Sequence, residues 1–274
     1  QLSRLLALPR NLKMLYPSKA QLRLWNRLGR SKIREEAGLF LAEGLKVVQA
    51  LLESDWEVQA LLTLEGGKEK RAAFLDRLPA SLPCYGLTAG EWTGLTQDVS
   101  PEGIMAVGRI PPRPTLADMA AGADEGPLLL LHEIRNPGNL GALARSASWF
   151  GFSGMILGRG SVDPFNPKAI RASMGSLFSL PFVDGVNLQE VIAMLKEEFL
   201  VAGSSVRAGR LPHPCGGKAA LLLGSESHGL PDSLLRMTDE QWHIPRKGAG
   251  ESLSLPQAAA IMMYEIAREA SPRG

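Results

Sequence analysis

From Leu128 to Leu131 four leucines follow one another without interruption, and comparable apolar runs recur through the second half of the chain. Short runs of this kind, bounded by turn residues, predict strands at 127–132, 153–157, 199–204, 219–223 and 241–245. Apolar residues three and four apart predict helices at 139–150, 187–198, 231–237 and 255–270. Strands that are apolar on both faces and alternate with helices predict a parallel sheet covered on both sides. The first half alternates on a smaller scale. Basic helices are expected over 18–36, where Leu22, Trp25 and Leu28 are spaced by three. A strand at 39–43, a helix at 44–54, a strand at 56–64, a helix at 69–78 and a strand at 103–110 complete a small α/β sandwich. Between the halves, Ile110 to Gly126 holds three prolines and then small and acidic residues, the pattern of a stiff linker followed by a short loop or helical turn.

With 274 residues, 45% of them apolar and 21% charged, the chain is globular and long enough for about two domains. No run approaches the roughly 18 apolar residues of a membrane span, so no membrane partner is expected. Cys84 and Cys215 are far apart, with no metal-ligand spacing around either. Two ordinary thiols point to a reducing compartment and to no metal site. The expected location is cytoplasmic, or an organellar matrix if a presequence once preceded Gln1.

Charge changes the picture more than composition does. Residues 1–40 carry nine basic and two acidic side chains, a local +7 on a chain whose total is +2, so the remainder is −5. A basic end on an otherwise acidic chain is the footprint of a face for a polyanion, or of a solvated helix surface. The basic residues singled out are Arg23, Arg27, Arg30, Lys32 and Arg34.

Ligands of open parallel sheets bind beyond the carboxyl ends of the strands, so the loops after strands are where chemistry is sought. Three of these loops stand out. The first, "HEIRNPGNLGALAR", sets Asn136, Gly138, Asn139 and Gly141 in a turn and Arg145 in the helix behind it. Asparagines suit tight turns and helix caps, and an arginine fork suits a phosphate or carboxylate. Neither the G-x-G-x-x-G dinucleotide fingerprint nor a P-loop is present. The second, "LLLGSESHGL", places Glu226 between Gly224 and Gly229. The third, "HIPRKGAGESLSLPQAAAI", passes from a strand through a basic, glycine-bearing stretch into a helix with Ser252 or Ser254 as its N-cap. The four histidines, His132, His213, His228 and His243, share no spacing and are expected to be structural.

Taken together, Asn139, Gly141 and Arg145, then Leu223 to Leu230, then Ile244, Pro245, Ser252 and Leu253 resemble the three signature motifs of the SpoU/TrmH family, of the SPOUT class. The segment "AIRASMGSLFSLPF" between the first two motifs resembles the family's connecting stretch, and the N-terminal part is similar to the small substrate-binding domain, of ribosomal-protein-L30-like fold, that many members carry. The resemblance implies an α/β protein: a basic segment at 1–16, the RNA substrate-binding domain at 17–110, a linker at 111–126 and a parallel-sheet methyltransferase domain at 127–274 with a deep trefoil knot. It also implies a homodimer that uses S-adenosylmethionine to methylate ribose 2′-hydroxyls in RNA, with large-subunit ribosomal RNA favoured. Transfer RNA is the alternative substrate, and a catalytically silent RNA-binding or ribosome-assembly protein on the same fold is the alternative role.

On that resemblance Arg145, Asn139, Glu226, Ser252 and Ser254 are the catalytic set, and Leu223, Gly224, Ser225, Glu226, Ile244 and Leu253 hold the donor. Lys168 and Arg171 join the basic helices as contacts to RNA phosphates. The family assigns Arg145 the role of base. A guanidinium with a pKa above about 12 is better suited to pairing with a phosphate and stabilising a developing alkoxide. One departure stands out: the family's S-L-N before the last helix is here "SLS", with Ser254 in the asparagine position. Serine offers a shorter reach and one donor fewer.

Overall fold

The computed structural model describes residues 14–65, 73–75, 78–79, 81–122, 126–215, 218–249 and 252–268. Most of the basic segment 1–16 and most of the helix expected at 69–78 lie outside the described residues. The chain divides into two compact units. One holds Gln1–Pro111 together with Phe165–Phe178, and the other holds Pro112–Pro164 and Ser179–Gly274.

The first unit runs β1 (Met14–Leu15), α1 (Lys19–Arg27), α2 (Ser31–Ala37), β2 (Leu39–Glu43), α3 (Leu45–Glu53), β3 (Val58–Leu64), β4 (Cys84–Leu87), α4 (Ala89–Leu95) and β5 (Ile104–Arg109). Its five strands lie in the order β1-β4-β3-β5-β2. β1, β4 and β3 are parallel, and β5 is antiparallel to β3 and β2. Helix starts follow their caps. Ser18 and Gln21 bond reciprocally at α1, as do Thr88 and Glu91 at α4. Gly38, at φ 64°, ends α2 in the left-handed conformation that turns the chain into β2. Trp25 and Leu28 pack inward with Ile33, Leu41, Leu62 and Trp92, as the three-residue spacing predicts.

Arg34 departs from expectation. Its side chain is 1% exposed and its Nη1 donates to the Leu28 carbonyl at 2.7 Å, so it ties α2 to the end of α1 and is withdrawn from the basic face. Arg23, Arg27, Arg30 and Lys32 are exposed. The expected +7 face loses a member because one arginine satisfies a buried carbonyl instead.

The second unit comprises α5 (Leu116–Gly122), β6 (Leu128–Leu131), α6 (Pro137–Trp149) and β7 (Gly154–Gly158). After an excursion through α7 (Pro167–Ser173), it continues with β8 (Phe182–Val186), α8 (Leu188–Leu195), β9 (Leu200–Ser204), β10 (Ala219–Leu223), α9 (Asp232–Leu235), β11 (Glu240–Trp242) and α10 (Leu255–Ala267). Its six strands are all parallel, in the order β11-β9-β10-β6-β7-β8. The strands of 127–132 and 219–223 form the centre, with Leu128–Leu131 paired one to one with Ala220–Leu223. Leu128, Leu130, Ile156, Val201 and Leu222 meet Val191, Ile192 and Leu195 of α8 and Leu234 of α9 on one face. Burial of each such side chain contributes about 1.5–3 kcal/mol. On α6, Leu140, Leu143 and Ala147 are buried, as are Ala259, Met262, Met263 and Ile266 on α10, and the two helices pack together.

The stretch 111–126, expected as a linker, contributes to this unit. Met119 of α5 enters the core against Leu128 and Ile156, and a Cβ at Gly154 would sit 2.3 Å from the Met119 Cε. Arg113 is ion-paired with Asp184 of β8. β8 itself was not expected, because "FVDGV" interrupts its apolar residues with Asp184 and Gly185.

The excursion Phe165–Phe178 folds with the first unit. β2 is an edge strand, yet all five of its residues are buried, because α7 covers it. Phe40 of β2 meets Phe165 at 5.5 Å, Phe178 at 6.2 Å and Trp56 at 5.7 Å between ring centroids. Room for the Phe40 ring comes from Gly108 across the ladder, where a Cβ would lie 2.4 Å from the Phe40 Cζ. Buried Glu43 is met by the Thr96 hydroxyl, by the Gln97 N–H at 3.4 Å and by the Arg171 Nη1 at 3.9 Å, while Asp98 holds the same Arg171 nitrogen at 3.2 Å.

Candidate active site at the carboxyl ends of the parallel strands

The site is built where β6, β10 and β11 end in the second unit. Asn136 caps α6, its Oδ1 accepting from the N–H groups of Gly138 (2.8 Å) and Asn139 (3.4 Å), and Pro137 occupies the first helical position. That cap sets the Asn139 side chain toward the turn after β10, where its Nδ2 donates to the Glu226 Oε1. Two of the sequence-selected residues, 87 positions apart, are thus joined directly.

The turn carrying Glu226 is tight. A Cβ at Gly224 would come within 2.1 Å of the Gly229 carbonyl carbon and 2.3 Å of the Leu230 nitrogen, so only glycine closes it. The Gly229 N–H donates to the Ser225 carbonyl at 2.8 Å, with Gly229 at φ 67°. The loop is anchored to β6 by the His132 N–H, which donates to the Leu223 carbonyl at 2.9 Å. Glu226 and His228 are exposed on its surface.

Arg145 is exposed two turns into α6 and takes part in no hydrogen bond or ion pair among the described residues. Ile244, just after β11, is half-buried. Ser252 and Ser254 are exposed, and Leu253 is 48% exposed, a high value for a leucine. Ser254 is the N-cap of α10, with its N–H donating to the Gln257 Oε1 at 3.3 Å and its carbonyl accepting from the Ala258 N–H at 3.0 Å. Serine is among the best N-cap residues, so the helix start is intact where the family pattern is not. Among the described residues no hydrogen bond or ion pair joins the side chains of Arg145, Ser252 or Ser254 to Asn139 or Glu226.

Gly224 and Ser225 bring backbone close to the strand end, Ile244 is half-buried and Leu253 presents an exposed apolar side chain, chemistry that suits an adenosine-bearing donor. The predicted phosphate contacts Lys168 and Arg171 lie in the first unit. Lys168 is exposed, while Arg171 is held by Asp98 and Glu43.

Other features were not legible in the sequence. Glu133 has φ 50°, a left-handed conformation costing about 1–2 kcal/mol for a residue with a Cβ. Its carboxylate pairs with the Arg135 guanidinium at 2.6 Å. Burial lowers the pKa of His132, keeping that imidazole neutral beside the loop. Beside β11, the Glu240 carboxylate collects the Trp242 Nε1 (2.8 Å), the His213 Nε2 (2.8 Å) and the Arg210 Nη1 (2.5 Å). Desolvation pushes Glu240 up, but those hydrogen bonds outweigh it and bring its pKa to about 2. His213 is raised, first by its contact with the Pro214 carbonyl and then by Glu240. Residues of turns and edges carry these features, and neither period nor motif marks them.

A parallel α/β sheet whose motif loops meet at its carboxyl edge, in the Asn139–Glu226 contact, is the arrangement in which open α/β folds bind their ligands. The comparisons narrow that class. The SpoU rRNA methylase family matches residues 127–264, and the MRM3-like substrate binding domain matches residues 19–106. The chain belongs to the SpoU rRNA methylase family. It is 32% identical to the 23S rRNA (guanosine(2553)-2'-O)-methyltransferase RlmP of Bacillus subtilis, over 88% of this chain and 94% of that protein. Identity to the 23S rRNA (guanosine-2'-O-)-methyltransferase RlmB of Escherichia coli is 29%, over 83% of this chain and 98% of that one. The crystal structure of the SpoU methyltransferase AviRb from Streptomyces viridochromogenes in complex with AdoMet matches with a TM-score of 0.77 at 25% identity, over 91% of this chain and 97% of AviRb.

Proposed function

We propose that this protein methylates a ribose 2′-hydroxyl of large-subunit ribosomal RNA with S-adenosylmethionine as donor. The observation that carries the reading is the Asn139–Glu226 bond, which joins two of the three motif loops at one strand edge within the family-matched region. When bound, S-adenosylmethionine supplies a methyl group on a sulfonium centre. Gly224, Ser225, Ile244 and Leu253 hold the donor through backbone groups and apolar surface. Glu226 fixes Asn139, and Asn139 orients the ribose. Arg145, without a hydrogen bond or ion pair among the described residues, pairs with an RNA phosphate and stabilises charge developing on the 2′-oxygen. Ser252 and Ser254 set the start of α10 beside the donor.

RNA first meets the exposed basic residues Arg23, Arg27, Arg30 and Lys32 of the first unit, with Lys168 as a further contact. The working form is a homodimer. Its support is a row of exposed apolar side chains on the packed helix pair, Trp149 on α6 at 84% and Tyr264 on α10 at 51%, with Ile261 beside them. The trefoil knot belongs to the same reading. β11 lies at the sheet edge outside β9, and the chain must then recross to bring α10 onto α6. Two free thiols, Cys84 and Cys215, favour a reducing compartment such as the cytoplasm.

The test is transfer of tritiated methyl from the donor to 23S ribosomal RNA and to transfer RNA, followed by mapping of 2′-O-methyl sites. Label in ribosomal RNA at a ribose is the expected result. Label confined to transfer RNA moves the substrate, and RNA binding without label overturns the enzymatic reading.

A further inference from the structure

We infer that Arg135 and Arg159 form a phosphate rest on the methyltransferase unit, gripping the RNA backbone beside the ribose to be methylated. The inference deepens the proposed function and rests on it for the identity of the ligand.

The two arginines stand at the carboxyl ends of neighbouring parallel strands, β6 and β7, which pair from Leu128↔Gly154 to Leu131↔Leu157. The loops that follow are bound into one platform. The Ile134 N–H donates to the Ser161 Oγ at 3.2 Å, and the Val162 N–H donates to the Ile134 carbonyl at 2.8 Å. The Arg159 N–H donates to the Val186 carbonyl at 3.0 Å, which pins the backbone from which its side chain projects. Gly160, at φ 83°, turns the chain sharply after it. On the other loop, left-handed Glu133 brings its carboxylate to Arg135, whose side chain remains 75% exposed. A guanidinium has five donors, so Arg135 keeps Glu133 and still presents N–H groups outward. Arg159 is exposed and has no ion pair among the described residues.

Charge placement gives the second line of support. The second unit, 112–164 with 179–274, carries 13 basic and 16 acidic side chains and is net −3, whereas the rest of the chain is +5. An acidic unit repels RNA unless its cations are concentrated where the strand must lie. Here Arg135 and Arg159 stand on the loops that follow β6 and β7, the end of the sheet that also carries the Asn139–Glu226 contact, and Arg145 lies further along the helix that leaves the first of those loops. Arg145 is assigned to the reacting nucleotide, and Arg135 and Arg159 to its flanking backbone. Phosphate contacts of this kind set register and orientation and carry no base preference.

The experiment uses the full-length protein with Arg159→Glu, Arg135→Glu and the double variant, all at exposed positions. Methyl transfer to 23S ribosomal RNA is measured from low to high salt, with donor affinity determined in parallel. In Arg159→Glu the KM for RNA rises about tenfold, donor affinity is retained, and the slope of log KM against log salt falls by about one. The double variant loses about two in slope. RNA binding measured without donor separates the two layers. A wild-type protein that binds RNA and transfers no methyl overturns the proposed activity. A doubly reversed variant with wild-type RNA affinity and salt slope overturns the phosphate rest.

Discussion

Asn139 of α6 and Glu226 of the turn after β10 share a hydrogen bond, 87 positions apart in the chain and brought together by the pairing of β6 with β10. The bond makes one unit of two motifs, so its members should fail together. Asn139→Ala and Glu226→Ala are each expected to lower kcat by about 10²-fold through misplacement of reacting groups. The double variant should be little worse than either single one. A double-mutant cycle on methyl transfer checks this, and additive losses would separate the two residues.

Arg145 makes no hydrogen bond or ion pair among the described residues, so its removal should cost chemistry and not stability. Arg145→Ala is expected to abolish turnover while leaving donor affinity and the unfolding midpoint near wild type. Arg145→Lys should fail as well, since one ammonium does not reproduce a planar fork. Wild-type turnover by Arg145→Lys would remove the bidentate role.

Phe165 falls inside the stretch matched by the methylase family, yet its ring packs on Phe40 and Trp56 of the first unit. Phe165→Ala is therefore expected to destabilise that unit by about 3–5 kcal/mol. Hydrogen exchange checks it: β2 should lose protection first, with β6 and β10 retaining theirs.

The Glu240–His213 cluster predicts a pH dependence of stability with opposite signs on its two sides. Glu240 is lowered from 4.5 to about 2, so its contribution is fully present above about 4.5 and is lost as pH falls toward 2. His213 is raised from 6.5, so its contribution is full below 6.5 and is lost as pH climbs through its raised value. Both act together between 4.5 and 6.5. Thermal unfolding midpoints should fall above that window in the wild type and lose this alkaline decline in His213→Ala.

The exposed apolar row on α6 and α10 sets the expectation for assembly. If the proposed dimer buries Trp149, Trp149→Glu should weaken it by about 2 kcal/mol, or some 30-fold, by placing a charge in an apolar interface. Analytical ultracentrifugation across a concentration series reads it directly. A wild type that sediments as a monomer at all concentrations would end the dimer reading.

The parallel sheet was legible because Leu128–Leu131 and Ala219–Leu223 are apolar on both faces, which only central strands tolerate. The motif loops were legible because turn chemistry there exceeds what turning requires. β8 was missed because Asp184 serves Arg113 inside what would otherwise be an apolar run. Arg34 was misread because a lone basic residue on a basic helix looks like its neighbours until its carbonyl partner is seen. Glu133 carries no mark at all. A left-handed glutamate is held by its surroundings, here the 158–162 loop, and composition says nothing about that.

The excursion Phe165–Phe178 has a consequence for anyone recombining modules within this family. A chimera cut at Pro111 would deliver a substrate-binding half with β2 stripped of its cover, its Phe40 ring left with Trp56 but without Phe165 and Phe178, and the Glu43 carboxylate short of a cation. Such a half would be prone to pair edge to edge with its own copies. A workable graft has three junctions, not one, and carries those fourteen residues along with the recipient's loops trimmed to receive them.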